Sequence, residues 1–255
     1  MKNITIGIAV LAMLIGVAGY AVAEANPELD RVALKSMTVA ELEKAGDASR
    51  AEKDYAQAIK YFQAALKKDS NNAAIYNKMG VAELQLSNSK AARYDFQRAI
   101  RINAKFAPAL NNMGAVDLND KKAGSAAKYF KKAIALEETN ATFHLNLGTA
   151  WLGQNKLDRA ITEYTRALEL DPEVINRHSR TGTSVRTPNP EERARFEYLL
   201  AKVYASRGEL DQCLQCLKRA KEGGYRDLAN VYKDEQFARL WQDQRLVELV
   251  APPAK

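Results

Sequence analysis

A chain of 255 residues with 47% hydrophobic content and a formal charge of +7 can bury the core of one elongated domain or of two small ones. Its two histidines and two cysteines form no metal-ligand cluster, and no phosphate-cradling glycine loop is present, so metal- or nucleotide-dependent catalysis has no footing.

Residues 1–23 stand apart. Lys2 is their only charge, Ile4 to Ala23 is uncharged, and Ala21-Val22-Ala23 before Glu24 is a small-x-small cleavage pattern. This reads as a secretory signal peptide, and the mature chain would then work outside the cytoplasm, in a periplasm if the source is Gram-negative. The alternative is an anchor, since about 20 apolar residues (4–23) just span a bilayer. Residues 24–38 are a linker with a short helix. Thr38 and Glu41 then form a capping box at the start of the first regular helix.

From Val39 the chain repeats every 34 residues, over 39–72, 73–106, 107–140 and 141–174. Four columns stay in phase: Gly46, Gly80, Gly114 and Gly148; Ala58, Ala92, Ala126 and Ala160; Phe62, Phe96, Phe130 and Tyr164; Ala65, Ala99, Ala133 and Ala167. A fixed period in this range marks stacked supersecondary units. In the best-formed copy, Phe143, Leu147, Ala150 and Trp151 share one face of a first helix, and Ala160, Ile161, Tyr164, Ala167 and Leu168 one face of a second. The short polar link Gln154-Asn155-Lys156 makes the two antiparallel. Gly148 and Ala160 read as the small residues that let the helix backbones close, and Asp171-Pro172 ends the second helix.

Residues 175–189 interrupt the rhythm with a basic, turn-rich loop that holds Arg177, Arg180 and Arg186 and no acid. It is either a functional lip or a tolerated excursion. A fifth, degenerate unit follows over 190–227, with Leu200, Tyr204, Gly208, Cys213 and Leu217 in register. Residues 228–255 are expected to form short helices started by Asp234 and Asp243, which close the open end of the solenoid with Phe237, Leu240, Trp241, Leu246 and Leu249.

The Gly, Ala, Phe/Tyr, Ala and Pro offsets resemble the tetratricopeptide repeat. The resemblance implies an all-α, right-handed superhelical solenoid of antiparallel helix pairs, here with a helical C-terminal cap. It also implies a concave groove lined by first helices, generally used to bind a peptide or partner protein. By phase, Asn77, Asn111, Asn112, Asn146, Thr149, Leu84, Leu118 and Leu152 face that groove, where Asn could serve a peptide backbone as donor and acceptor. Arg177 and Arg180 lie beside it in the loop. The family's carboxylate clamp is absent: Glu43, Asp47, Lys78, Pro108 and Asn112 occupy its register.

The expectation is therefore a non-catalytic, exported scaffold for protein or peptide partners, with no cofactor and no nucleic acid, since no aromatic platform interleaves the basic residues. The alternative is an envelope-assembly factor, peripheral to a membrane or cell-wall surface, acting through the loop and through Lys121, Lys122, Lys128, Lys131, Lys132, Arg93, Arg98 and Arg101 on the convex side. Cys213 falls in the small-residue column and reads as packing, with a strained disulfide as the alternative. His144 reads as a packed core residue.

Overall fold

The computed structural model describes residues 34–175 and 190–253; the proposed signal segment (1–23) and most of the basic loop, with Arg177 and Arg180, lie outside them. Packing divides the chain into Met1–Ser36 and Met37–Lys255, and every element named here belongs to the second unit. Eight helices come in pairs: α1 (Val39–Ala51) with α2 (Tyr55–Lys68), α3 (Ala73–Gln85) with α4 (Ser89–Ile102), α5 (Ala107–Asn119) with α6 (Ala123–Ile134), and α7 (Ala141–Gly153) with α8 (Leu157–Leu170). A fifth pair, α9 (Pro190–Arg207) and α10 (Leu210–Glu222), packs on α8. Each helix lies against its own partner and against the next pair, which is the solenoid that the 34-residue period implies.

Local chemistry sets these boundaries. Thr38 and Glu41 form the expected capping box: Thr38 Oγ1 accepts from the Glu41 N–H at 3.2 Å, and the Thr38 N–H donates to Glu41 Oε2 at 2.7 Å. Asp54 and Asn72 cap α2 and α3 in the simpler way, each accepting from the N–H three residues on. The turn inside each pair is built on one left-handed residue, at Lys53, Ser87, Lys121 and Asn155, with φ between 60° and 66°. That column is itself 34-periodic, and in the fifth pair it holds Gly208 at φ +78°, which carries no Cβ penalty there. Asp171 is extended and ends α8 just before Pro172.

The glycine column has a more specific partner than the expected alanine. A Cβ on Gly80 would lie 2.7 Å from the Phe96 ring, and one on Gly114 2.6 Å from the Phe130 ring; Gly46 and Gly148 face Phe62 and Tyr164 in the same way. The aromatic sixteen residues later lies flat on the bare backbone, so that all four rings are fully buried. The alanine columns, also fully buried, hold neighbouring helices at close range. Tyr164 differs from its Phe counterparts by a hydroxyl, and that hydroxyl donates to Thr149 Oγ1 at 3.4 Å. In the second and third repeats the counterparts of Thr149 are Val81 and Ala115, which could accept nothing.

After α10 the chain forms two 3₁₀ turns, Leu228–Tyr232 and Glu235–Leu240, and the short helix α11 (Gln244–Leu249). Val231, Phe237, Leu240 and Leu246 are fully buried against the fifth pair. Asp243 caps α11 as expected, but Asp234 does not cap; its carboxylate instead accepts from Tyr198 Oη at 2.7 Å and pairs with Lys202 at 3.2 Å. Trp241 is 37% exposed and is held by its indole N–H on Val231 O, so it contributes less apolar cover than expected. Cys213 and Cys216 are free, fully buried thiols. Burial pushes both up to about 12, which makes them inert packing groups.

Candidate partner-binding surfaces

The asparagines expected to face the groove are brought together, and their side chains bond one another. Asn146 Nδ2 donates to Asn111 Oδ1 at 2.9 Å, Asn111 Nδ2 to Asn112 Oδ1 at 3.4 Å, and Asn112 Nδ2 to Asn77 Oδ1 at 2.9 Å. All four are buried. The result is a head-to-tail amide chain across α7, α5 and α3, in which each dipole polarises the next. The amides thus stitch first helices together, where the sequence reading had them serving a peptide backbone.

One repeat nearer the amino terminus, the same linkage is ionic. Lys78 Nζ lies 2.7 Å from Glu43 Oε1 and 2.5 Å from Asp47 Oδ2. Glu43·Lys78, Asn77·Asn112 and Asn111·Asn146 are all separated by 35 residues. One repeat further on, the corresponding positions are Leu145 and Leu199, both in the main core cluster. The ladder therefore runs from charged to polar to apolar along the stack. Lys78, which stands in the carboxylate-clamp register, has its charge answered within the protein.

The remaining candidates are also partly absorbed. Thr149 is buried, and its hydroxyl donates to Leu145 O at 3.0 Å. Leu152 is buried, and Leu84 and Leu118 are half-buried against core clusters. On the same helix faces, two turns beyond Lys78 and Asn112, Gln85 and Asn119 are exposed.

The expected basic face divides in two. Two of the three arginines of α4 are engaged: Arg93 bonds Asp117 and Asp120, each at 2.7 Å, and Arg98 lies over the Tyr76 ring, while Arg101 is exposed. The lysines at 121, 122, 128, 131 and 132 are exposed. Trp151 is surrounded by Lys131, Lys156 and Arg159, with the cationic atoms 4.9, 4.9 and 5.1 Å from the ring centroid. The sequence reading missed this cluster, because its members come from α6, a turn and α8.

His144 is buried, and both its ring nitrogens are occupied: Nδ1 is 2.7 Å from Glu163 Oε2, and Nε2 is 2.9 Å from Glu138 O. When protonated, the ring donates from Nδ1 to the Glu163 carboxylate and from Nε2 to the Glu138 carbonyl. The bond to Glu163 is the main reason its pKa is raised. Asp95 occupies the column of Glu163 two repeats earlier, but the counterpart of His144 there is Tyr76. Asp95 is buried, and desolvation, with the Glu83 charge in support, pushes its pKa up to about 7. Among the described residues no cluster of His, Cys, Asp or Glu could hold a metal ion, and no helix is long and apolar enough to cross a membrane.

A family model described as TPR repeat matches residues 46–87, and a second, described as tetratricopeptide repeat, matches residues 116–175. The chain is a tetratricopeptide-repeat protein. No curated protein sequence matches this TPR chain. Among solved structures it is similar to PilF of Pseudomonas aeruginosa, at 18% identity and a TM-score of 0.55 over 82% of this chain and 95% of that one. It is similar to MamA from Desulfovibrio magneticus RS-1 at 16% identity and a TM-score of 0.52, covering 74% and 96% of the two chains. A third likeness is to YrrB, described as a TPR protein with an unusual peptide-binding site, at 18% identity and a TM-score of 0.50 over 81% and 95%. At such identities these likenesses describe the shared fold.

Proposed function

We propose that this TPR protein is a non-catalytic scaffold, exported from the cytoplasm, that binds an extended peptide or partner domain along the groove formed by its first helices. The observation that carries the reading is the 35-residue ladder. Four consecutive first helices are locked in register by Glu43·Lys78, Asn77·Asn112 and Asn111·Asn146. A surface fixed in this way is organised before a partner arrives, so that binding need not order it. The ladder forms the groove floor, and Leu84, Gln85, Leu118 and Asn119 lie at one edge of it. Export rests on the uncharged Ile4-to-Ala23 stretch and its Ala21-Val22-Ala23 junction.

Photo-crosslinking residues placed at Gln85 and Asn119 test the groove directly. They should capture a partner in cells, whereas the same probe at Gln97, exposed on α4, should not. Capture at Gln97 alone would sink the groove assignment. Sequencing the amino terminus of the secreted or membrane-fraction protein tests export: a start at Glu24 supports cleavage, and an intact Met1 in the membrane fraction supports an anchor.

A further inference from the structure

The exposed cations around Trp151 have a counterpart one repeat earlier that is electrically complete. There, Asp117 and Asp120 bind Arg93, Asp120 also pairs with Lys122 at 3.4 Å, and Ser125 Oγ donates to Asp117 at 2.6 Å. Moving 34 residues on, Asp117 becomes Trp151, Asp120 becomes Gln154, Ser125 becomes Arg159 and Gln97 becomes Lys131; Lys122 becomes Lys156, and Arg93 becomes Ala127. The six positions are neutral in the earlier repeat and carry three positive charges in this one. Both carboxylates and one arginine have gone, and two cations have been added.

What remains is unanswered charge. Lys156 Nζ reaches only the neutral Gln154 Oε1, at 2.9 Å, and no carboxylate of the described residues pairs with Lys131 or Arg159. One indole is shared by all three cations, and its quadrupole offsets only part of their mutual repulsion. Since each lies within about 5 Å of the same centroid, the three are within about 10 Å of one another, near one Debye length at physiological salt. They act on an approaching anion as one compact source.

We propose that this cluster is a second binding site, separate from the groove, for an acidic segment of a protein partner that supplies the carboxylates the repeat has lost. Two carboxylates one helical turn apart, or two residues apart on an extended strand, match its size. A membrane surface fits less well. The only aromatic of the site is 7% exposed under its cations, and so has no free face to enter the lipid headgroup layer. The same cover leaves no face on which a nucleic-acid base could stack.

The test uses the full chain carrying Trp241→Phe, so that Trp151 is the only indole, with a fluorescein-labelled hexaglutamate peptide as probe. At low salt the peptide should bind saturably and shift Trp151 emission. Lys131→Gln with Arg159→Gln should weaken binding by about tenfold or more, while Lys128→Gln with Lys132→Gln, on the same helix but outside the cluster, should change it by less than about twofold. Gln154→Asp removes no cation but restores the carboxylate of the earlier repeat, and it should also weaken binding. No binding at low salt, or equal losses in the two lysine-containing pairs, would overturn the proposal. So would phosphatidylglycerol vesicles that bind with the same dependence on Lys131 and Arg159 and are not displaced by hexaglutamate, because the partner would then be a membrane.

Discussion

Two acidic residues in equivalent columns have opposite fates. Glu163 meets the His144 ring, whereas Asp95 meets only desolvation and the charge of Glu83. The consequence for stability has a definite sign. An Asp of ordinary pKa, about 3.9 in the unfolded chain, ionises before its folded counterpart at about 7, so the folded state loses stability as pH rises between those values. Above about pH 8 the loss is complete, at about 4 kcal/mol. Asp95→Asn should therefore raise stability at pH 8 by up to about 4 kcal/mol and leave it nearly unchanged at pH 4. Urea titrations at the two pH values measure this directly; equal effects at both would show that the carboxyl is not desolvated. His144 adds a second slope of the same sign. Its pKa is raised, so its ion pair contributes fully below about pH 6.5 and is lost as pH rises through the higher folded value. The variant should thus flatten the acid side of the stability profile and leave the alkaline side sloping.

At the level of the helix pair, the ladder makes a prediction of its own. Asn77 and Asn112 sit on different repeats, yet each amide is buried against the other. Truncating one leaves a buried amide short of a partner, at a cost of about 1–3 kcal/mol. Asn77→Ala and Asn112→Ala should each destabilise by that amount, and the double variant by less than their sum, with a coupling of about 1 kcal/mol in a double-mutant cycle. Additive losses would mean that the amides act separately. A variant at these positions is thus a poor probe of partner binding, since lost binding could report lost register. The ladder also shows where the sequence stopped being legible. The Gly, Ala and aromatic columns recur at 34 residues, and a self-comparison of the chain finds them. The rungs join positions 35 apart, and their chemistry changes from ionic at Glu43·Lys78 to amide at Asn77·Asn112 and Asn111·Asn146, so no one residue type marks all of them. Likewise Trp151 occupies an apolar position in a helical period, and only the folded chain brings Lys131 and Arg159 to it. Columns of identical residues report packing within a repeat; contacts between repeats are written in pairs of positions whose chemistry changes along the stack.

Over the whole of Met37–Lys255, the apolar packing is uneven. The main cluster of the described residues runs without a break from Ala126 through α7, α8, α9 and α10 to Val250. Two smaller clusters are set apart from it, one across α4 and α5 (Ala92, Phe96, Met113 and Val116), the other across α5, α6 and α7 (Ala107, Leu110, Ala133 and Phe143). A solenoid's stability is a sum of repeat and nearest-neighbour terms, so it need not unfold as one body. The tail carries much of the C-terminal share. Phe237, Leu240 and Leu246 are fully buried, Tyr232 Oη donates to Val250 O at 2.7 Å, and Lys221 Nζ to Leu249 O at 2.6 Å. Removing residues 228–255 would strip these side chains from α9 and α10, each large one being worth about 2–5 kcal/mol of burial and packing. Amide exchange in the truncated chain should accelerate most in α9 and α10, less in α8, and little in α1–α4, because each pair couples only to its neighbours. Uniform acceleration across all five pairs would show that the solenoid folds as a single unit, in which case the tail stabilises the amino-terminal groove as much as the repeat it touches.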